Sequence, residues 1–281
     1  MKDQSQAEKA RRLLYLHSGG KLLILPNVWD PIGARILAAK GYPAVATASA
    51  ALSSSLGYQD GERISRETLL HFIGRIAESV DVPVTADIEA GFGNSVAELE
   101  ETTRLIIEAG AVGINIEDSI KHEGILRPMT EQCRRISAVR QAAHKVGVPL
   151  VINARVDCFL ASIKMDKPNV MQETATRARA YAEAGADCIY PIGPGDVETV
   201  RELRSRIPHP INILASQSAA PLSALEELGV NRVSFGPFLF RLCLTQFVQA
   251  VEGLQAGRDF PWSDRMLTSA DVQPFLRGER E

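Results

Sequence analysis

The sequence predicts an α/β fold, a (β/α)8 barrel of the TIM type, on three observations. Eight short apolar, β-branched runs recur along the chain, and longer amphipathic segments separate them. No GxGxxG turn follows the first run, which weighs against a dinucleotide-binding sheet. Continuous apolar runs suit strands buried on both faces, as a parallel sheet requires. Repeated β-then-α units either close as a barrel or spread as an open doubly wound sheet, and eight strands at this spacing favour closure.

Residues 1–20 read as a polar N-terminal helix without the apolar centre of a signal peptide. The strand runs are LLILPN (22–27), AVATAS (44–49), PVTADIE (83–89), GINIED (113–118), LVINARVD (150–157), CIYPIG (188–193), INILAS (211–216) and RVSFGP (232–237). Between them, residues 95–110 put Val96, Leu99, Thr103, Ile106 and Ile107 on one helical stripe with glutamates opposite. Ser65 and Thr130 stand where helices should open. Gly110, Gly147, Gly185 and Gly229 fall where helices should end before a strand. The segment 238–257 is long and apolar for an outer barrel helix, so it reads either as the eighth helix packed on its own barrel or as a partner surface. No linker or low-complexity break appears. One domain over 1–281 is expected, with 238–281 forming a C-terminal helix and tail.

A chain of 281 residues with 45% hydrophobic and 23% charged residues can bury its core without staples. A net charge of −3 with interspersed signs lacks the basic footprint of a nucleic-acid binder. Arg177 and Arg179, inside a periodic helix, read as a solvated face. Cys133, Cys158, Cys188 and Cys243 show no CxxC and no metal-like spacing, which points to a reducing, cytoplasmic setting. No run approaches the length that spans a bilayer, so no membrane partner is expected.

Barrel chemistry sits at the C-terminal ends of the strands. There the third run carries Asp87 and Glu89, two apart and so expected on one face. The fourth run ends in Glu117 and Asp118, the fifth in Arg155 and Asp157, and Asp60 lies beyond the second. Asp60, Asp87, Glu89 and Glu117 are expected to converge on one mouth. Carboxylates this close need a counter-charge, and an all-oxygen set suits Mg²⁺ or Mn²⁺. The five histidines lie mostly away from strand ends, which leaves no zinc site. A lone strand-end Asp is more often a helix cap, and Arg155 has a structural alternative in pairing with Asp157 or Glu117. Its functional reading is bidentate capture of a substrate carboxylate. The small-residue stretch ASAALSSSLGYQDG, read as a loop, offers backbone N–H groups to an oxyanion.

The ordered set LPNVWDPIGARI, ATASAALSSSLGYQDG, ADIEAGFG, GINIEDS and INARVD resembles the isocitrate lyase/phosphoenolpyruvate mutase superfamily over about residues 20–240. The resemblance implies metal binding by Asp60, Asp87, Glu89 and Glu117, with Asp87 the direct ligand. It implies that Arg155 grips substrate and that Ala48, Ser49 and Ala50 form the carboxylate loop. It also implies a homo-oligomer, dimer or tetramer, with the C-terminal helix exchanged between subunits. After Asp118 the chain departs from the lyase Lys-Arg-Cys-Gly-His pattern: SIKHEGILRPM has no Cys, which marks a less-characterised branch. Lys121 or His122, or Tyr58 in the stretch after the second run, is then the candidate proton carrier.

The function expected is a Mg²⁺-dependent carbon–carbon lyase, or decarboxylase, of a small 2-oxo or 2-hydroxy di- or tricarboxylic acid, acting through a metal-stabilised enolate. Two alternatives stand beside it: a phosphonopyruvate-type P–C hydrolase or mutase, and a non-catalytic 2-oxo-acid-binding protein.

Overall fold

The structure is a computed structural model that describes residues 2–120, 123–160, 163, 167–193, 195–257 and 266–276. Its strands are β1 (Leu23–Leu25), β2 (Asn27–Val28), β3 (Val45–Thr47), β4 (Val84–Asp87), β5 (Gly113–Glu117), β6 (Ser119–Ile120), β7 (Ile125–Leu126), β8 (Val151–Val156), β9 (Cys188–Pro191), β10 (Asn212–Leu214) and β11 (Arg232–Ser234). The helices are α1 (Lys2–Ser18), α2 (Pro31–Ala39), α3 (Ser49–Ser55), α4 (Arg66–Ala77), α5 (Val96–Glu108) and α6 (Met129–Val146). They continue with α7 (Lys167–Glu183), α8 (Val197–Arg206), α9 (Leu222–Glu227), α10 (Phe238–Gln255) and α11 (Ser269–Val272).

Each of the eight predicted runs contains a strand, and the barrel pairings are all parallel. One sheet runs β2-β3-β4-β5-β8-β9 and the other β1-β11-β10. Pro26, which has no N–H for the ladder, separates β1 from β2. A parallel bridge from Ile189 to Ile211 joins β9 to the β10 edge. Asn27 fastens the seam. Its Oδ1 accepts from the Phe235 and Gly236 N–H groups (2.8 and 2.9 Å), and its Nδ2 donates to Thr47 O (2.8 Å).

Helix α1 closes the end where the strands begin. Leu13 is fully buried there, and a Cβ on Gly113, the first residue of β5, would stand 2.7 Å from Leu13 Cδ2. Only glycine leaves room for the plug. Gln6 Nε2 donates to Ile107 O at 2.5 Å, and Asn231 Nδ2 to His17 O at 3.1 Å. At the other end, β6 and β7 form a small antiparallel hairpin directly after β5.

Three expectations change. The stretch after β3 is a helix, α3, rather than an open loop, because its Ala and Ser side chains pack without crowding. The sixth helix opens at Met129, one residue before Thr130, with Pro128 at the N-cap position and no side-chain cap bond. Arg177 is not on a solvated face. It is buried, with Nη1 3.1 Å from Asp118 Oδ2, and Tyr181 donates to the same oxygen at 2.7 Å. Among the described residues no helix is long and apolar enough to cross a membrane.

Candidate active site at the barrel mouth

A pocket of about 70 Å³ opens where the strands end, lined by Ala48, Ser49, Ala50, Asp60, Asp87 and Arg155, and also by Asn27, Asn115, Tyr190 and Ser234. Such a volume suits a ligand of a few heavy atoms, well below the several hundred Å³ of typical drug-sized sites. A larger groove of about 810 Å³, between Tyr15 and Pro43, lies at the opposite end, where the strands start. Position in the barrel therefore identifies the site better than size does.

Asp87 ends β4 and Asp60 follows α3, and Ser49 links them. Ser49 Oγ points at Asp87 Oδ2 (2.8 Å) and at Asp60 Oδ1 (3.1 Å), and its backbone N–H also donates to Asp87 Oδ2 (3.2 Å). One hydroxyl proton satisfies only one carboxylate at a time. Among the described residues, Asp87 Oδ1 receives one long contact, from the Glu89 N–H at 3.4 Å.

The other two acids sit next door. Glu89 and Glu117 line a separate pocket of about 60 Å³ with Gly61, Ser119 and Arg127. β4 has ended by Glu89, whose backbone is left-handed at φ 51°, so strand alternation does not set its direction. Its Oε2 accepts from the Gly61 and Glu62 N–H groups (2.7 and 2.9 Å) and so holds the turn beside Asp60. Among the described residues no group of three or more His, Cys, Asp or Glu side chains is gathered as an ion site. The four-acid convergence is therefore resolved into a pair, Asp60 with Asp87, and a neighbouring pair. Two carboxylates, with water and substrate completing the shell, fit the habits of Mg²⁺.

Arg155 joins the two pockets. Its Nη1 is 2.9 Å from Glu117 Oε2, and its Nε is 2.6 Å from Asp157 Oδ1. The structural pairing and the pocket position thus coexist in one residue. Burial opposes its charge, but Asp157, Glu117 and Asp87 outweigh that and hold the guanidinium firmly protonated. Behind it, burial and then the nearby Asp157 push the Asp118 carboxyl up to about 6, against the pull of Tyr181 and Arg177. Burial raises the Tyr190 phenol to about 12, which leaves it a neutral donor.

The carboxylate loop is more committed than expected. Ala48 N–H donates to Val28 O (3.2 Å) and Ser49 N–H to Asp87. Ala50, in the first turn of α3, keeps an N–H without an intrahelical acceptor. Tyr58 is 54% exposed and outside the pocket lining. Lys121 and His122 lie outside the described residues. Asn115 and Tyr190 escaped the sequence reading, although the period of two was legible: Asn115 stands two before Glu117, and Tyr190 pairs with Arg155 in register.

A parallel barrel with acids and arginines gathered at the C-terminal ends of its strands places the candidate site where barrel enzymes hold theirs. The family model described as phosphoenolpyruvate phosphomutase matches residues 13–255, and the chain belongs to the isocitrate lyase/phosphoenolpyruvate mutase superfamily. It is 32% identical to an uncharacterized protein of Mycobacterium tuberculosis over 93% of this chain and 94% of that one. It is 30% identical to 2-methylisocitrate lyase of Bacillus subtilis over 75% of this chain and 68% of that enzyme. A solved structure from Burkholderia cenocepacia J2315 superposes with a TM-score of 0.90 at 31% identity, covering 98% of each chain.

Proposed function

We propose that this protein is a Mg²⁺-dependent carbon–carbon lyase, or decarboxylase, of a small 2-oxo or 2-hydroxy carboxylic acid. The observation that carries the reading is Ser49 bridging Asp60 and Asp87 in a small pocket that Arg155 also lines. Opposed charges around so small a space suit a small anion brought in with a cation. Support also comes from the named relative that cleaves 2-methylisocitrate. A phosphonopyruvate hydrolase of the same fold, 22% identical, was solved with oxalate and Mg²⁺.

Asp87 and Asp60 would hold the ion, with Glu89 and Glu117 acting from the neighbouring pocket. When bound, the ion supplies Lewis-acid stabilisation of negative charge on the reacting acid. Arg155 draws a substrate carboxylate toward its guanidinium, and the Ala50 N–H assists. Ser49 fixes the Asp87 carboxylate so that little reorganisation accompanies binding. Proton transfer is assigned to Lys121 or His122 on the segment after Ile120.

An NMR time course with Mg²⁺ tests this, using oxaloacetate, isocitrate, methylisocitrate, dimethylmalate and phosphonopyruvate in one pool. Loss of one carbon acid with two fragments appearing, abolished by EDTA, is the expected result. Consumption of phosphonopyruvate alone would replace the lyase with a P–C enzyme. Binding without consumption of any acid would make the protein a binder.

A further inference from the structure

Beneath the mouth, one amide has its orientation fixed from behind. Asn115 Oδ1 accepts from Asn153 Nδ2 (2.7 Å) and from Arg232 Nη2 (3.2 Å). Both lone pairs of that carbonyl are taken, and turning the amide over would set its NH₂ against two donors. Asn115 is 5% exposed and lines the pocket beside Asp87, its register partner on β4. No described residue accepts a hydrogen bond from its Nδ2.

Arg232 makes this arrangement unusual. It is fully buried on β11, and its Nε and Nη1 have no partner among the described residues. No described carboxylate forms an ion pair with it. A buried cation without a counter-ion is costly, and an anion bound nearby reduces that cost. An anion in the pocket would meet the Asn115 NH₂ first, with the Arg232 charge behind it.

We infer that Asn115 is a substrate-binding residue whose Nδ2 donates to an oxygen of the bound acid at the pocket floor, and that Arg232 and Asn153 are the positioning residues that fix this amide. The acid contacted is a small oxo- or hydroxycarboxylate with an acceptor oxygen directed down the barrel axis. Asn115→Asp keeps the size but replaces the donor with a second acceptor, so it turns the floor against an anion. The inference rests on the proposed function in one respect: the pocket must take a small acid anion.

The test is calorimetric titration of oxalate in the presence of Mg²⁺, with thermal unfolding run on every variant. Oxalate binding is expected to weaken about 10- to 100-fold in Asn115→Ala, the range for a lost hydrogen bond to a charged group. Asn115→Asp should weaken it further. Arg232→Met should also weaken it, Arg232→Lys should restore part of the loss, and Arg232→Met should add little once Asn115→Ala is present. If Arg232→Met does not fold, Asn153→Ala reports on the same positioning. Wild-type affinity in Asn115→Ala overturns the inference while leaving the proposed function standing. Additive losses for Asn115→Ala and Arg232→Met overturn the positioning role. Failure of the wild type to bind oxalate with Mg²⁺ removes the proposed function and this inference together.

Discussion

His17 shows how one buried side chain ties the barrel floor to pH. It lies at the end of α1 with Nδ1 2.8 Å from Leu13 O, and its Nε2 has no partner among the described residues. Burial, then the charge of Arg232, lowers its pKa from 6.5 to about 4, while the Leu13 carbonyl pulls the other way. Between these values the unfolded chain takes up a proton that the fold rejects, so stability falls as pH drops through that window. The loss amounts to about 3 kcal/mol when complete. Asp118 acts in the opposite sense, because its raised pKa means that ionising it costs stability as pH rises toward about 6. His17→Asn isolates the first effect. Its unfolding free energy in urea, compared with wild type, should gain about 3 kcal/mol between pH 7 and pH 4; a constant difference would contradict the assignment. At this scale the sequence was partly legible. Asp87 and Arg155 could be read because they end strand runs, and Asp60 because it follows one. The Ser49 bridge and the amide of Asn115 could not, because hydrogen-bond partners are chosen by contacts across the barrel rather than along the chain.

Among the described residues, α10 carries more exposed large apolar side chains than any other element. Phe240 packs edge-on against Trp29, with ring centroids 5.0 Å apart, and anchors the first turn at the barrel mouth. Beyond it Leu244, Phe247, Val248 and Val251 are exposed on one side of the helix, Phe247 by 68%. An apolar face of this kind on one helix marks a partner surface. We propose that a second copy of this chain covers it, consistent with a homo-oligomer. Truncation at about residue 240 should reduce the size seen on gel filtration, and so should Phe247→Asp with Val251→Asp if truncation prevents folding. An unchanged size in the folded double variant would refute the contact. The eight barrel strands were legible, since strands buried on both faces leave continuous apolar runs. Their ends were not. β4 stops at Asp87 because the backbone turns left-handed at Glu89, and α3 forms where small polar residues had suggested a loop.

For the whole molecule, closure of the barrel does what no single segment can: it brings Asp60, Asp87 and Arg155, from three separate βα units, to one small pocket. It also separates Glu89 and Glu117 into an adjoining pocket, which a linear reading of acids at strand ends could not foresee. The fold itself is shared by enzymes of different chemistry, so the function rests on this site and not on the barrel. The most direct test is a crystal structure grown with Mn²⁺ and oxalate, with diffraction collected at the manganese edge. The account predicts one anomalous peak at the barrel mouth beside Asp87, with oxalate between it and Arg155. A peak elsewhere, or none at Asp87 while oxalate is bound, would contradict it.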